Sequence, residues 1–292
     1  MAETGSRNGI PTRPLGSTGL RVTLLGVGGY HVGVAGGVQA GVRIVRTAID
    51  EGINFLDNAW CYNQGRSEEI MGRALRGGYR RRVVLMTKNH GRDRATFRRQ
   101  LDESLRRLGT ECIDVLQFHD GRDEREPRRL FEEGALEAAV EARDKGQVRF
   151  IGFTGHRHPR FLRALLERDA ARHGLAEWDT VQLPINLLDA HYRSFLAEVV
   201  PILRRRGIGV IGMKSLCSGE ILGAGVSPRE AIRFALSRPI DVLVSGMDSL
   251  GVLRENLETV RSFSPMSEAE SQALLDRVAP RAAGGRLERY KW

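Results

Sequence analysis

Residues 83–120 decide the fold: Val83-Val84-Leu85-Met86-Thr87-Lys88-Asn89, then Ala95–Leu108, then Ile113-Asp114-Val115-Leu116-Gln117-Phe118-His119-Asp120. The outer two segments are short Val/Ile/Leu-rich runs ending in polar residues, and the middle one is a longer amphipathic stretch of helical period. Apolar residues run almost unbroken through the short segments, the mark of a strand covered on both faces. The unit is strand, helix, parallel strand.

The same alternation extends in both directions. Strands are expected at Val22–Gly29, Asn54–Ala59, Val83–Asn89, Ile113–Asp120, Val148–Gly155, Thr180–Leu187, Gly209–Leu216 and Asp241–Met247. Helices are expected near Gln39–Glu51, Ser67–Arg76, Ala95–Leu108, Arg128–Lys145, Pro159–His173, Phe195–Arg206, Pro228–Ser237 and Gly251–Val260. Ser67 with Glu68 and Glu69, and Ser227-Pro228-Arg229-Glu230, are helix-start signals; Gly52, Gly109, Gly146, Gly174 and Gly207 are stop signals. Eight such repeats predict one (β/α)8 TIM barrel of the α/β class. Residues 13–282 form this single domain, preceded by a loose N-terminus over 1–12 and followed by a tail over 283–292. Within it, Arg13–Arg21 reads as a short hairpin capping the barrel's N-terminal end, and Ser267–Val278 as an additional C-terminal helix.

Composition narrows the function. With 292 residues, 41% of them hydrophobic, the chain can bury a large core, and no run has the length and apolar purity of a membrane span. The formal charge of +9 invites a nucleic-acid reading. Only four of the 45 basic residues are lysine, however, and the arginines are scattered beside acids on helices, which reads as a solvated surface. Neither nucleic acid nor membrane is expected as a partner. Cys61, Cys112 and Cys217 give no disulfide framework and no Cys-x-x-Cys pair, and the polar start lacks a secretory core, so a cytoplasmic location is expected. His31, His90, His156 and His158 match no metal-ligand spacing, so no metal is expected. Cys61 and Cys217 read as buried, inert thiols near the barrel's mouth.

Barrel active sites lie where strands end C-terminally. That rim gathers Gly28, Gly29, Tyr30 and His31; Asp57, Asn58, Trp60 and Tyr62; Lys88, Asn89 and His90; His119 and Asp120. Farther round come Thr154, Gly155 and His156, then Gln182, then Met213, Lys214 and Cys217, then Ser245, Gly246, Met247, Asp248 and Ser249. Asp57, Tyr62, Lys88 and His119 form a proton-handling set. A lysine beside a tyrosine draws the phenol's pKa down, a carboxylate fixes the lysine against the cost of burial, and a histidine can hydrogen-bond a substrate oxygen. Together they could protonate a carbonyl oxygen as a hydride reaches its carbon. A buried structural ion pair, or a Schiff-base aldolase built on Lys214, are the alternative readings of the same residues.

Phe55-Leu56-Asp57-Asn58-Ala59-Trp60-Cys61-Tyr62, continuing through Ser67-Glu68-Glu69 to Gly72 and Ala74-Leu75, resembles the strand-2 signature of the aldo-keto reductases. So do Met86-Thr87-Lys88, the Leu105–Gly109 run and Ile113–His119, in the family's order. The segment Ile151-Gly152-Phe153-Thr154-Gly155-His156 resembles a bacterial branch. The resemblance spans about Arg13 to Asn256 and implies NADPH- or NADH-dependent reduction of an aldehyde or ketone without metal. It assigns Tyr62 as general acid, Lys88 and Asp57 as its tuning pair and His119 as the group orienting the carbonyl.

The resemblance also implies a cofactor across the rim, with Gly28, Gly29, Thr154, Gly155, Gln182, Met213, Lys214, Ser245, Gly246, Met247, Asp248, Glu255 and Asn256 beside it. Thr154-Gly155 replaces the family's usual Ser-Asn, and Met213 stands where an aromatic ring is common. Basic residues common at the family's phosphate-binding positions are replaced around Met247, Asp248 and Val252, leaving Arg254 as the nearest cation, so both coenzymes stay open. Tyr30, His31 and Trp60 are expected on the substrate side. The alternative reading is a regulator that binds NAD(P)H as a redox sensor with little turnover.

Overall fold

The computed structural model describes residues 5–120, 123–168 and 170–292. Its strands are β1 (Ser6–Arg7), β2 (Ile10–Pro14), β3 (Arg21–Thr23), β4 (Leu25–Gly28), β5 (Phe55–Asp57), β6 (Val84–Asn89), β7 (Ile113–Phe118), β8 (Val148–Thr154), β9 (Thr180–Pro184), β10 (Gly209–Met213) and β11 (Val242–Gly246). Strands β4 to β11 pair in parallel and close in the order β10-β11-β4-β5-β6-β7-β8-β9. The (β/α)8 barrel is therefore present as the alternation predicts. Every residue of β5, β6, β7 and β9 is buried, which is why those stretches read as unbroken apolar runs.

Two layers of core hold the barrel. Inside it pack Phe55, Val84, Met86, Val115, Ile211, Val242 and Val244, joined by Leu15 and Val22 from the N-terminal segment. A larger cluster fills the space between strands and helices, where Trp178 meets Phe118, Phe131 and Phe153 edge-on. Helix starts follow local chemistry. Ser227 and Ser267 form reciprocal caps with Glu230 and Glu270, and Asp93 accepts from the Thr96 amide.

Three expected helices are interrupted. Arg128–Lys145 is two helices, Glu126–Glu132 and Ala135–Asp144, separated at Gly134, whose φ of 86° no helix can carry. Phe195–Arg206 breaks at Val199 because Pro201 starts a new first turn rather than continuing the old one. Pro159–His173 ends at Leu166 and resumes as a short 3-10 turn at Ala170–His173.

The chain ends also differ from expectation. Residues 6–12, read as loose, supply β1, a tight turn at Asn8-Gly9 and the start of β2 in an antiparallel sheet ordered β1-β2-β3, and Ile10 is fully buried. Residues 1–4 of that segment lie outside the described residues. The sheet plugs the bottom of the barrel: the Gly16 amide donates to Asp241 Oδ2 at 3.0 Å, and a Cβ at Gly16 would collide with the backbone of Gly209.

At the other end, residues 283–292 are anchored rather than trailing. Lys291 Nζ sits 2.9 Å from both Asp189 Oδ1 and Glu288 Oε2, with all three side chains shielded from water, and donates to Tyr192 O at 2.6 Å. The side chain was unreadable as an anchor because a basic residue one from the end normally stays solvated. Removing one partner from such a cluster leaves unpaired charge buried, which costs about 3–5 kcal/mol. Lys291→Met should therefore lower the stability measured by chemical denaturation by about that amount, whereas Arg289→Met, on the exposed ion pair with Glu220, should change it by roughly 0–1 kcal/mol.

Candidate active site

Strand alternation places Lys88 on the same face as Met86, two residues earlier, which lies inside the barrel. Lys88 thus points into the lumen at its C-terminal mouth. There its ammonium pairs with Asp57 at the end of the neighbouring β5, donates to Asn58 O at 2.8 Å, and lies 3.4 Å from Tyr62 Oη. Asp57 also accepts from Gln182 Nε2 at 3.1 Å, across the mouth from β9. Burial pushes the Asp57 carboxyl up and the Lys88 ammonium down, and each one's charge opposes the other's shift.

Tyr62 arrives by a strained turn. Asn63 and Gln64 adopt left-handed φ values of 50° and 58° between β5 and the helix Arg66–Leu75. Asn63 holds that turn by donating to Tyr30 O and Ser67 Oγ. The phenol ring meets Tyr30 at 5.5 Å and His119 at 5.6 Å, both edge-on.

The phenol's proton is held more firmly than the sequence suggests. Lys88 was expected to draw Tyr62 below its ordinary range, but burial, followed by the negative charges of Asp57 and its other neighbours, raises it well above. The ammonium is turned mainly to Asp57 and the Asn58 carbonyl, so its pull on the phenol does not prevail. His119 is buried, and burial together with the Lys88 charge holds its pKa well below the usual value. At neutral pH the site presents a neutral phenol and a neutral imidazole.

The remaining expected residues divide. Thr154 and Gln182 are register partners on β8 and β9 and are buried, with the Gly155 amide donating to Gln182 O. Ser245 Oγ accepts from Asn256 Nδ2 at 3.2 Å beside Gly246. Gly28 and Gly29 have a close-packing role: a Cβ on Gly28 would come within 3.0 Å of Ser245 O, and one on Gly29 within 2.7 Å of Asp57 O. His31 lies against Gly246 rather than against the Asp57 group, and Asp248 and Glu255 are exposed.

Three of the expected residues are engaged by the protein itself. Met247 is fully buried in the helix-packing core, not open to the mouth. Lys214, expected beside the cofactor, lies 5.1 Å over the ring of Tyr290 from the C-terminal tail. Trp60, expected on the substrate wall, turns outward: its indole donates to Glu103 Oε2 at 2.6 Å, between the guanidinium groups of Arg99 and Arg107.

A sequence model of the aldo/keto reductase family matches residues 25–238. The chain belongs to that family. It is 30% identical over 224 residues to the aldo-keto reductase YhdN of Bacillus subtilis, covering 72% of this chain and 63% of YhdN. An uncharacterized oxidoreductase of the same organism, YrpG, is 33% identical, with 76% of this chain and 71% of YrpG covered. The L-galactose dehydrogenase of Arabidopsis thaliana is 29% identical, with 92% and 95% covered. Among solved structures, the holo form of an aldo-keto reductase from Bacillus halodurans superposes with a TM-score of 0.75 at 22% identity, covering 97% of this chain and all of that one. The Klebsiella pneumoniae aldo/keto reductase in complex with NADP and acetate has a TM-score of 0.72 at 24% identity, with 92% and 95% covered.

Around Asp57, Tyr62, Lys88 and His119 stand residues whose roles sequence reading missed. Glu68, taken as a helix-start acid, is fully buried and accepts from Thr87 Oγ1 at 2.7 Å next to Lys88; Arg107 bridges it to Trp60 O. Arg92, buried and paired with Glu126, donates to His119 O at 2.7 Å and to His90 O at 3.2 Å. A buried arginine cannot be told from a surface one by spacing alone. The mixed-charge stretch Gly121–Pro127 reads in sequence as a loop over the mouth or a solvated turn; its Gly121 and Arg122 lie outside the described residues.

The cysteines separate as well. Cys217 is buried and its thiol is pushed up to about 12 by burial, as an inert thiol should be. Cys61, expected to match it, is exposed at the mouth. Thiol labelling of the native protein at about pH 8 should modify Cys61 readily and spare Cys217, because the thiolate is the reactive form. Equal labelling of both, mapped by peptide mass, would contradict the buried placement.

Proposed function

We propose that the chain is an NAD(P)H-dependent carbonyl reductase acting on an aldehyde or ketone. The observation that carries the reading is the Lys88 ammonium held at once by buried Asp57, by Asn58 O and beside Tyr62 Oη. That arrangement needs a buried carboxylate, a buried lysine and a tyrosine at one barrel mouth, and it has the residue roles implied by the sequence resemblance.

The cofactor reading is supported by one orphaned atom. Gln182 Oε1 is buried and, among the described residues, has no hydrogen-bond partner, so it can accept from a carboxamide N–H. Thr154 beside it, and Ser245 and Asn256 farther round the rim, would hold the nicotinamide cofactor. When bound, that cofactor supplies the hydride. Tyr62 gives its proton to the carbonyl oxygen, with His119 Nε2–H as a second donor that orients that oxygen. Lys88 stabilises the phenolate left behind, and Asp57 keeps the ammonium charged and in place. Without Asp57, desolvation would favour neutral lysine and the stabilisation would be lost.

Tyr62→Phe should reduce kcat/KM for NAD(P)H oxidation with a panel of aldehydes by about 10²–10⁴-fold while leaving coenzyme binding, read by fluorescence, in place. Coenzyme binding with no turnover by the parent protein across the panel would overturn the reductase reading and favour a sensor. The pH profile follows from the shifts. The phenol, raised above its ordinary value, stays protonated through neutrality, and His119, held low, stays neutral. Reduction should therefore be flat between about pH 6 and pH 9 and fall only as the phenol ionises at higher pH. A fall centred near neutrality would contradict this assignment of the acid.

A further inference from the structure

Three consecutive barrel strands, β5, β6 and β7, deliver Cys61, His90 and His119 to one point of the mouth. One ligand atom from each, the Cys61 sulfur and a ring nitrogen of each histidine, lies within 4.8 Å of the other two. The Cys61 Sγ to His90 Nε2 separation is 3.0 Å and Cys61 Sγ to His119 Nδ1 is 3.7 Å. The two imidazoles lie 4.5 Å apart between centroids, tilted by 38°. A tetrahedral zinc ion with Zn–S of about 2.3 Å and Zn–N of about 2.0–2.1 Å has S···N edges of roughly 3.6 Å and N···N edges of roughly 3.3 Å. The two observed S···N separations bracket that edge, and the N···N separation, within 4.8 Å, closes toward its edge by rotation of the two rings.

The backbone behind the ligands is already fixed. Arg92 clamps the carbonyls of both His90 and His119, and the His90 amide donates to Gln100 Oε1 at 2.8 Å. The nearby cations do not forbid a metal, since Arg92 is paired with Glu126 and Lys88 with Asp57. One sulfur and two imidazoles suit a thiophilic dication such as Zn²⁺ over hard Mg²⁺ or Ca²⁺.

We infer that Cys61, His90 and His119 form a zinc-binding site at the barrel mouth, with the fourth coordination position open to water or a small ligand. Binding stands on this geometry alone; its consequence for turnover rests on the reductase reading. There, zinc held through His119 Nδ1 turns the ring whose Nε2–H orients the carbonyl and occupies the mouth beside Tyr62, so it acts as a reversible inhibitor rather than as a cofactor.

The test is zinc uptake by the full-length protein, measured by competition with a chromophoric chelator, with cobalt(II) as a spectroscopic probe. One zinc per chain is expected, weakened at least about tenfold by Cys61→Ser and by His90→Gln and unchanged by Cys112→Ser. Cobalt(II) should give a thiolate-to-metal charge-transfer band that Cys61→Ser abolishes. No uptake, or uptake indifferent to both Cys61→Ser and His90→Gln, overturns the site. Zinc should also suppress carbonyl reduction, with full recovery on chelation. Uptake with the expected ligand dependence but unchanged turnover would support the metal site and overturn its inhibitory effect.

Discussion

Everything at the mouth of this barrel depends on a carboxylate and an ammonium facing each other out of reach of water. Asp57 and Lys88 come from adjacent parallel strands, and each is buried almost completely. Neither charge could stay there alone. Their mutual attraction, the Asn58 carbonyl and the Gln182 amide together meet the desolvation cost that burial imposes. The pair is therefore a constraint on position as much as a source of charge: the lysine can point almost nowhere else, and the phenol beside it finds a cation at a fixed place.

The surroundings are arranged to keep that pair and its neighbours still. Glu68 and Arg107 tie the loop carrying Trp60 to the helix Arg94–Leu108, and the left-handed turn at Asn63 and Gln64 brings Tyr62 back over the lumen. Arg92 does the same for the backbone of His90 and His119. On the far side, the C-terminal tail is pinned by Lys291 so that Tyr290 covers Lys214 and its hydroxyl accepts from Asn186 Nδ2. The barrel supplies the strand ends, while buried ion pairs outside the lumen set the loops.

The period of the apolar pattern made the barrel legible, since eight buried strands leave eight unmistakable runs. Helix interruptions at Gly134 and Pro201 were less legible because periodicity continues across them while the backbone does not. Asp57, Tyr62, Lys88 and His119 could be grouped because each falls at or just beyond a strand end, where direction follows from period. Trp60, on a loop, could not be aimed that way, and Glu103 turned it outward. Glu68 and Arg92 carry charges that sequence assigns to the surface, and only the fold shows them paired inside. The direction of the Tyr62 shift was missed for a related reason: proximity to a cation is readable from sequence, but the opposing burial and the carboxylate that engages the cation are not.

The action of Lys88 on the Tyr62 phenol is electrostatic, although burial dominates the net shift. Its most direct measure is an ultraviolet difference titration of the phenol, isolated by subtracting Tyr62→Phe, in the parent protein and in Lys88→Met. Tyr62 should ionise above the ordinary tyrosine range in the parent and higher still once the ammonium is gone. A phenol whose titration is unmoved or shifted downward in Lys88→Met would contradict it.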